Sequence, residues 1–139
     1  FTTQQGILVA ADNQDINGLD DLKGKKVAVQ SGSTAESFAK ENFPNAELVP
    51  FKNATDCFSA LQASKADALV TNRSVASQLT ASSFDNCQTI KQVSTGEEYA
   101  IAVNKDNPEL TQAVNKALED MKSDGTMKEI ETKWFGSEI

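Results

Sequence analysis

The sequence contains no histidine. That removes the commonest general base, the Ser-His-Asp and Cys-His arrangements, and most zinc sites. With two cysteines, Cys57 and Cys87, and no histidine, too few ligands remain for a metal centre, and none is expected. Long apolar runs are also missing. The longest is Ile7–Ala11, far short of a membrane-crossing helix. Positive charge is scarce: 13 Lys and Arg stand against 20 Asp and Glu, for a net charge of −7, and Arg73 is the single arginine. Basic residues form no dense cluster, so a nucleic-acid partner is not expected. Internal repeats and low-complexity segments are absent too.

What remains is an ordinary apolar content of 39% spread over 139 residues, one domain's length. The chain opens on Phe1 rather than Met, which reads as a processed or excised form. Strand-like segments are expected at Gly6–Ala11, Lys26–Gln30, Glu47–Phe51, Asp67–Thr71, Thr89–Val93 and Tyr99–Asn104. Helical spacing of apolar residues predicts helices at about 34–43, 54–64 and 73–80. Asn107 and Pro108 open a further helix that Gly125 stops, and Thr126 with Glu129 forms a capping box for the last one. Leu19–Leu22 reads as a single helical turn. Asn53 and Asn72 each stand within an N-glycosylation sequon, but each also suits a helix cap. Strands alternate with helices through residues 25–80. The fold class is therefore α/β, with a mainly parallel sheet and helices on both faces.

In such sheets ligands bind beyond the carboxyl ends of the strands. Two loops stand there. Gln30-Ser31-Gly32-Ser33-Thr34 joins a strand to a helix whose first N–H groups lack partners and whose dipole favours an anion. Gly32 permits close approach, while Ser33 and Thr34 add hydroxyls. The plain alternative is that Ser33 caps the helix, in a capping box with Glu36, and Gly32 merely turns the chain. No lysine follows Gly32 at P-loop spacing, so a nucleotide cofactor is not expected. In the second loop, Thr71 and Asn72 end a strand at the same edge. Asn72 either contacts a ligand or caps the next helix. The acidic pairs Asp20-Asp21 and Glu97-Glu98 read as solvated faces, because nothing supplies a partner base or a burying pocket. Trp134 and Phe135 read as core or interface. No catalytic residue set emerges.

The segment Leu19-Asp20-Asp21-Leu22-Lys23-Gly24-Lys25-Lys26-Val27-Ala28-Val29-Gln30-Ser31-Gly32-Ser33-Thr34 resembles the start of the second lobe of polar amino-acid solute-binding proteins of ABC importers. Ala60-Leu61-Gln62-Ala63-Ser64-Lys65-Ala66-Asp67-Ala68 and Tyr99-Ala100-Ile101-Ala102-Val103-Asn104-Lys105 are similar to later stretches of that family. So are Val114–Leu118, Asp124-Gly125-Thr126 and Lys133-Trp134-Phe135-Gly136.

The resemblance implies a periplasmic-binding-protein-like lobe that closes on a small ligand. Gln30, Gly32, Ser33, Thr34, Thr71 and Asn72 would be its ligand-binding residues, with the 30–34 loop on the α-carboxylate. Position 72 is usually an aspartate that holds the α-ammonium; here it is Asn, which accepts a hydrogen bond but cannot neutralise the charge. Ala100 replaces the usual glycine. Residues 1–11 would form the first hinge strand, 12–98 the second lobe, and 99–106 the return hinge strand. Residues 107–139 would be the helices that normally pack on a first lobe. Most of that first lobe is not in this chain. The apolar stripe Leu110, Val114, Leu118, Met121, Ile130 and Trp134 then loses its usual cover. It must fold back on the chain's own sheet, be exchanged within a homodimer, or meet an N-terminal piece supplied elsewhere.

The expected partners are a polar amino acid or related carboxylate and an ABC permease, in a periplasmic or extracellular setting. Cys57 and Cys87 are two buried thiols or one disulfide, and such a compartment favours the disulfide. The alternatives on this fold are the sensing domain of a receptor and, with less support, a dehydratase-type enzyme.

Overall fold

The computed structural model describes residues 2–136. Five strands form one open sheet in the order β3-β2-β4-β1-β5. The strands are β1 (Thr2–Ala10), β2 (Lys26–Gln30), β3 (Glu47–Phe51), β4 (Ala68–Asn72) and β5 (Cys87–Glu98). A 3₁₀ turn at Leu19–Leu22 precedes β2. The helices are α1 (Thr34–Asn42), α2 (Ala54–Gln62), α3 (Arg73–Ser82), α4 (Pro108–Asp124) and α5 (Thr126–Phe135). The βαβ units β2-α1-β3 and β3-α2-β4 give the parallel pairs β2–β3 and β2–β4. β1 runs antiparallel to both β4 and β5. The α/β class and the mainly parallel sheet are as expected: β2, β3, β4 and β5 share one direction, and β1 alone runs against its two neighbours. β1 enters from before the βαβ series and inserts between β4 and β5.

The alternation of side chains across the sheet builds two cores. Ile7, Val9, Val27, Val29, Ala68 and Val70 face Ala35, Ala39 and Phe43 on one side. Leu8, Ala28 and Leu69 face Cys57, Phe58, Leu61 and Ala76 on the other. Helices therefore cover both faces, with α1 on one and α2 and α3 on the other. Phe58 packs against Phe84, the two rings tilted with centroids 4.9 Å apart, within the second core.

Several local expectations need correction. β1 begins at Thr2 rather than Gly6, and continues through a polar half. The segments Thr89–Val93 and Tyr99–Asn104 are not two strands. One long strand, β5, covers the first and ends at Glu98, and 99–104 carries no strand. Glu98 pairs with Thr2, the first residue of β1. The Thr126–Glu129 capping box does not form; Asp124 Oδ1 accepts from Thr126 N at 2.9 Å instead. The acidic turn residue Asp21 does more than meet solvent, since its Oδ2 accepts from the backbone of Asn17 and Gly18.

The cysteine expectation is also corrected. Cys57 and Cys87 are free thiols, both buried in the second core. Among the described residues, the C-terminal helices pack chiefly on each other and on α3 rather than on the sheet. α4 packs against α5, and α5 against α3. No residue of α4 is buried. Leu110, Ile130 and Trp134 are 47%, 42% and 57% exposed, so Trp134 is not core.

Candidate functional site

The loop 30–34 leaves β2 and enters α1 as anticipated, with Gly32 at φ +73°. Its donors are largely used by the protein itself. Ser33 caps α1, its Oγ accepting from Glu36 N at 3.2 Å and donating to the Gln30 carbonyl at 2.7 Å. Glu36 reaches back, and its Oε2 accepts from Gly32 N at 2.7 Å. Lys40 Nζ pins the other carboxylate oxygen at 2.8 Å. The hydrogen bond from Lys40, then that from Gly32, hold the Glu36 carboxyl below its ordinary value of 4.5. Gln30 enters this arrangement through its carbonyl. Among the described residues, the N–H groups of Thr34 and Ala35 make no hydrogen bond, as first-turn donors of a helix often do not. Thr34 is exposed, and its hydroxyl can still donate.

A buried polar cluster lies beside Thr34 and joins it to the end of β4. Thr3 and Gln5 of β1 are 2% and 0% exposed, and share a face with Ile7 and Val9. Gln5 Nε2 donates to Thr34 Oγ1 at 3.3 Å and to Glu97 Oε2 at 2.7 Å. Asn72, on the same face, caps α3. Its Oδ1 accepts from Thr3 Oγ1 at 2.7 Å, Ser74 Oγ at 2.8 Å and Ser74 N at 3.2 Å. Those three donors use the capacity of one carbonyl oxygen. Asn72 Nδ2 donates to Glu97 Oε2 at 3.4 Å.

Glu97 is therefore not part of a solvated face. A bulge brings it in. Gln4 pairs with Ser94 but Thr3 with Glu97, leaving Thr95 and Gly96 extra on β5. Gly96 takes φ +68°, a conformation other residues adopt at a cost, and it turns the strand inward. The sequence signal was present in the glycine two residues after Ser94. It carried no weight because Glu97-Glu98 has no partner nearby in the chain. Gln5 was hidden for another reason: it precedes the apolar run Gly6–Ala11, in a polar stretch that gave no strand signal.

The structure thus gathers Thr34 and Asn72, through Gln5 and Glu97, at one edge of the sheet. It assigns Gly32 and Ser33 to the helix cap. Thr71 is not brought there. It alternates with Asn72 and lies on the face of Leu69, opposite Gln5. Two concavities among the described residues lie elsewhere. One is lined by Asp12, Asp15 and Asp67, the other by Leu19, Phe43 and Pro44. No group of three or more His, Cys, Asp or Glu among the described residues is arranged to hold a metal.

The sequence profile of the bacterial extracellular solute-binding proteins, family 3, matches residues 2–137. The ABC transporter glutamine-binding protein GlnH of Bacillus subtilis is 35% identical, covering 97% of this chain and 49% of that protein. An ancestral arginine-binding protein, solved bound to glutamine, is 40% identical with a TM-score of 0.80. The match covers 99% of this chain and 61% of that one. The ancestral amino acid-binding protein AncCDT-1, described as a precursor of cyclohexadienyl dehydratase, is 36% identical with a TM-score of 0.79. It covers 97% of this chain and 59% of that one. The chain spans about half the length of the curated relatives it matches. Those relatives are named as binding proteins rather than enzymes.

Proposed function

Since the chain belongs to family 3 of the bacterial extracellular solute-binding proteins, we propose that it is the second lobe of an importer's amino-acid receptor. The ligand is a polar amino acid or a related small carboxylate, and the lobe binds it without transforming it. One observation carries this reading: a helix N-terminus with unbonded N–H groups and a free-turning hydroxyl, at Thr34, opens at the edge of the sheet beside a buried polar cluster. A carboxylate there meets the positive end of α1 and two or three donors. The ligand residues on this lobe are then Thr34, with Ala35 N, and the Asn72 cluster.

Residues 12–98 act as the lobe, 1–11 as the strand that enters it, and 99–106 as the return to residues 107–139. The exposed residues Leu110, Ile130 and Trp134 fit a surface that meets a first lobe. With a first lobe opposite, the Thr34–Glu97 edge becomes one wall of a closed cleft. The delivery partner is an ABC permease, in the periplasm or outside the cell. No helix among the described residues is long and apolar enough to cross a membrane. Exchange of the C-terminal helices between two copies is the competing way to cover the stripe.

The test is calorimetry on the full-length protein with L-glutamine, L-arginine, L-cystine, L-glutamate, L-histidine and L-lysine. Binding of at least one is expected, and Thr34→Val should weaken it by about tenfold, the worth of one hydrogen bond to a charged group. No heat from any of them would overturn the reading. Sedimentation of the 139-residue chain separates the two covers for the stripe: a clean monomer at tens of micromolar counts against exchange.

A further inference from the structure

The cluster at the end of β4 is rich in acceptors. Glu97 is half-buried, and the two bonds that hold it come from neutral amides, Gln5 and Asn72, both to Oε2. A carboxylate can accept about four hydrogen bonds, so capacity remains, and these amides leave its charge uncancelled. Gln5 Oε1 is buried and has no partner, although the residue is wholly enclosed. Its amide is oriented by Glu97, because turning it would set an oxygen against the carboxylate. The far end of the cluster touches the anion-binding turn. One amide nitrogen contacts both Thr34 Oγ1, at 3.3 Å, and Glu97 Oε2, at 2.7 Å. A donor-rich turn and an uncancelled carboxylate therefore stand side by side.

Such a pair suits a ligand that carries a positive and a negative group on neighbouring atoms. An α-amino acid carries both on one carbon. Asn72 is poorly placed to serve the positive group, since its oxygen already takes three internal donors. We propose that Glu97, delivered by the Gly96 bulge, accepts the ligand's amino group and sets the preference for amino acids over simple carboxylates. This rests on the reading of Thr34 as the carboxylate site. A charged hydrogen bond to a partly desolvated carboxylate is about twice as strong as a neutral one, enough to dominate that preference.

The experiment titrates the full-length protein with the six amino acids named above, each beside its desamino analogue (glutaramate for glutamine, δ-guanidinovalerate for arginine). The parent should prefer the amino acid by about tenfold or more. Glu97→Gln should lose that preference while the analogue binds within about twofold of the parent. Adding Asn72→Asp to Glu97→Gln should restore part of it, because a carboxylate returns while Oδ1 still accepts from Thr3 and Ser74. A Glu97→Gln protein that keeps the preference overturns the proposal. So does one that loses amino acid and analogue equally, which marks a structural role. If the parent binds neither class, the amino-acid reading itself fails and Glu97 falls with it. If it binds both classes equally, only the assignment to Glu97 fails.

Discussion

The backbone N–H of Gly32 donates to Glu36 Oε2 at 2.7 Å, so the chain's own carboxylate sits on a donor that an incoming anion would otherwise use. Glu36→Ala should release that N–H and remove a negative charge from the first turn of α1. Affinity for a carboxylate ligand should rise several-fold, while α1 loses part of its cap and the melting temperature falls. Calorimetry and a thermal melt on the same sample check both signs. A drop in affinity would mean that Glu36 positions the turn rather than competing for it.

Glu36 also predicts a pH response. Its folded carboxyl lies below the ordinary 4.5, chiefly through the Lys40 hydrogen bond. A lowered carboxylate pKa stabilises the fold in full above 4.5, and that contribution is lost as pH falls through the folded value. The carboxyl carbon, followed by NMR, should titrate below 4.5. Lys40→Ala should move it upward, leaving only the Gly32 bond to hold it down. An unchanged midpoint in the variant would show that Lys40 has no part in it.

The two cysteines should be inert in the native protein. Burial pushes the Cys57 thiol up to about 11, and raises Cys87 in the same direction. Thiolate is the reactive form, so both should resist a thiol reagent at pH 8 and react on unfolding. The sign for stability follows: the unfolded thiols ionise near 9 and the folded ones later. Stability is therefore complete below 9 and falls as pH rises toward 11, by up to about 2 kcal/mol. Fast native labelling, or an intact mass lower by two hydrogens under oxidising conditions, would contradict the free-thiol structure.

Gly96→Ala isolates the bulge. Beyond its two chain neighbours, no residue comes within 4 Å of where the new methyl would stand, so the cost is backbone strain at φ +68°, about 1–2 kcal/mol. Chemical denaturation should show that loss. If the bulge instead flattens, Glu97 turns outward, and Gln5 and Asn72 both lose an acceptor. That would appear as altered side-chain amide resonances of these two residues. No change in either readout would mean the bulge is not what aims Glu97.

Much of this architecture was decided locally. The β-branched run at Val27–Val29, the caps at Ser33, Asn53, Asn72 and Asn107, and Gly125 at φ +87° each act within a few residues of themselves. That is why Lys26–Gln30, Glu47–Phe51 and the helices could be read from pattern. The family was legible for the same reason, as short motifs keep their order along the chain. What needed the folded state was which groups meet. Gln5 and Glu97 are 92 positions apart and touch only because β5 folds back along β1 and bulges at Gly96. Thr71 and Asn72 are neighbours in the chain and part company across the sheet, since a strand sends successive side chains to opposite faces. Likewise Gly32 and Ser33 look like ligand donors until Glu36 and Gln30 are seen to claim them. Local hydrogen bonds are set by spacing. Long-range pairing depends on register, which the sheet as a whole determines.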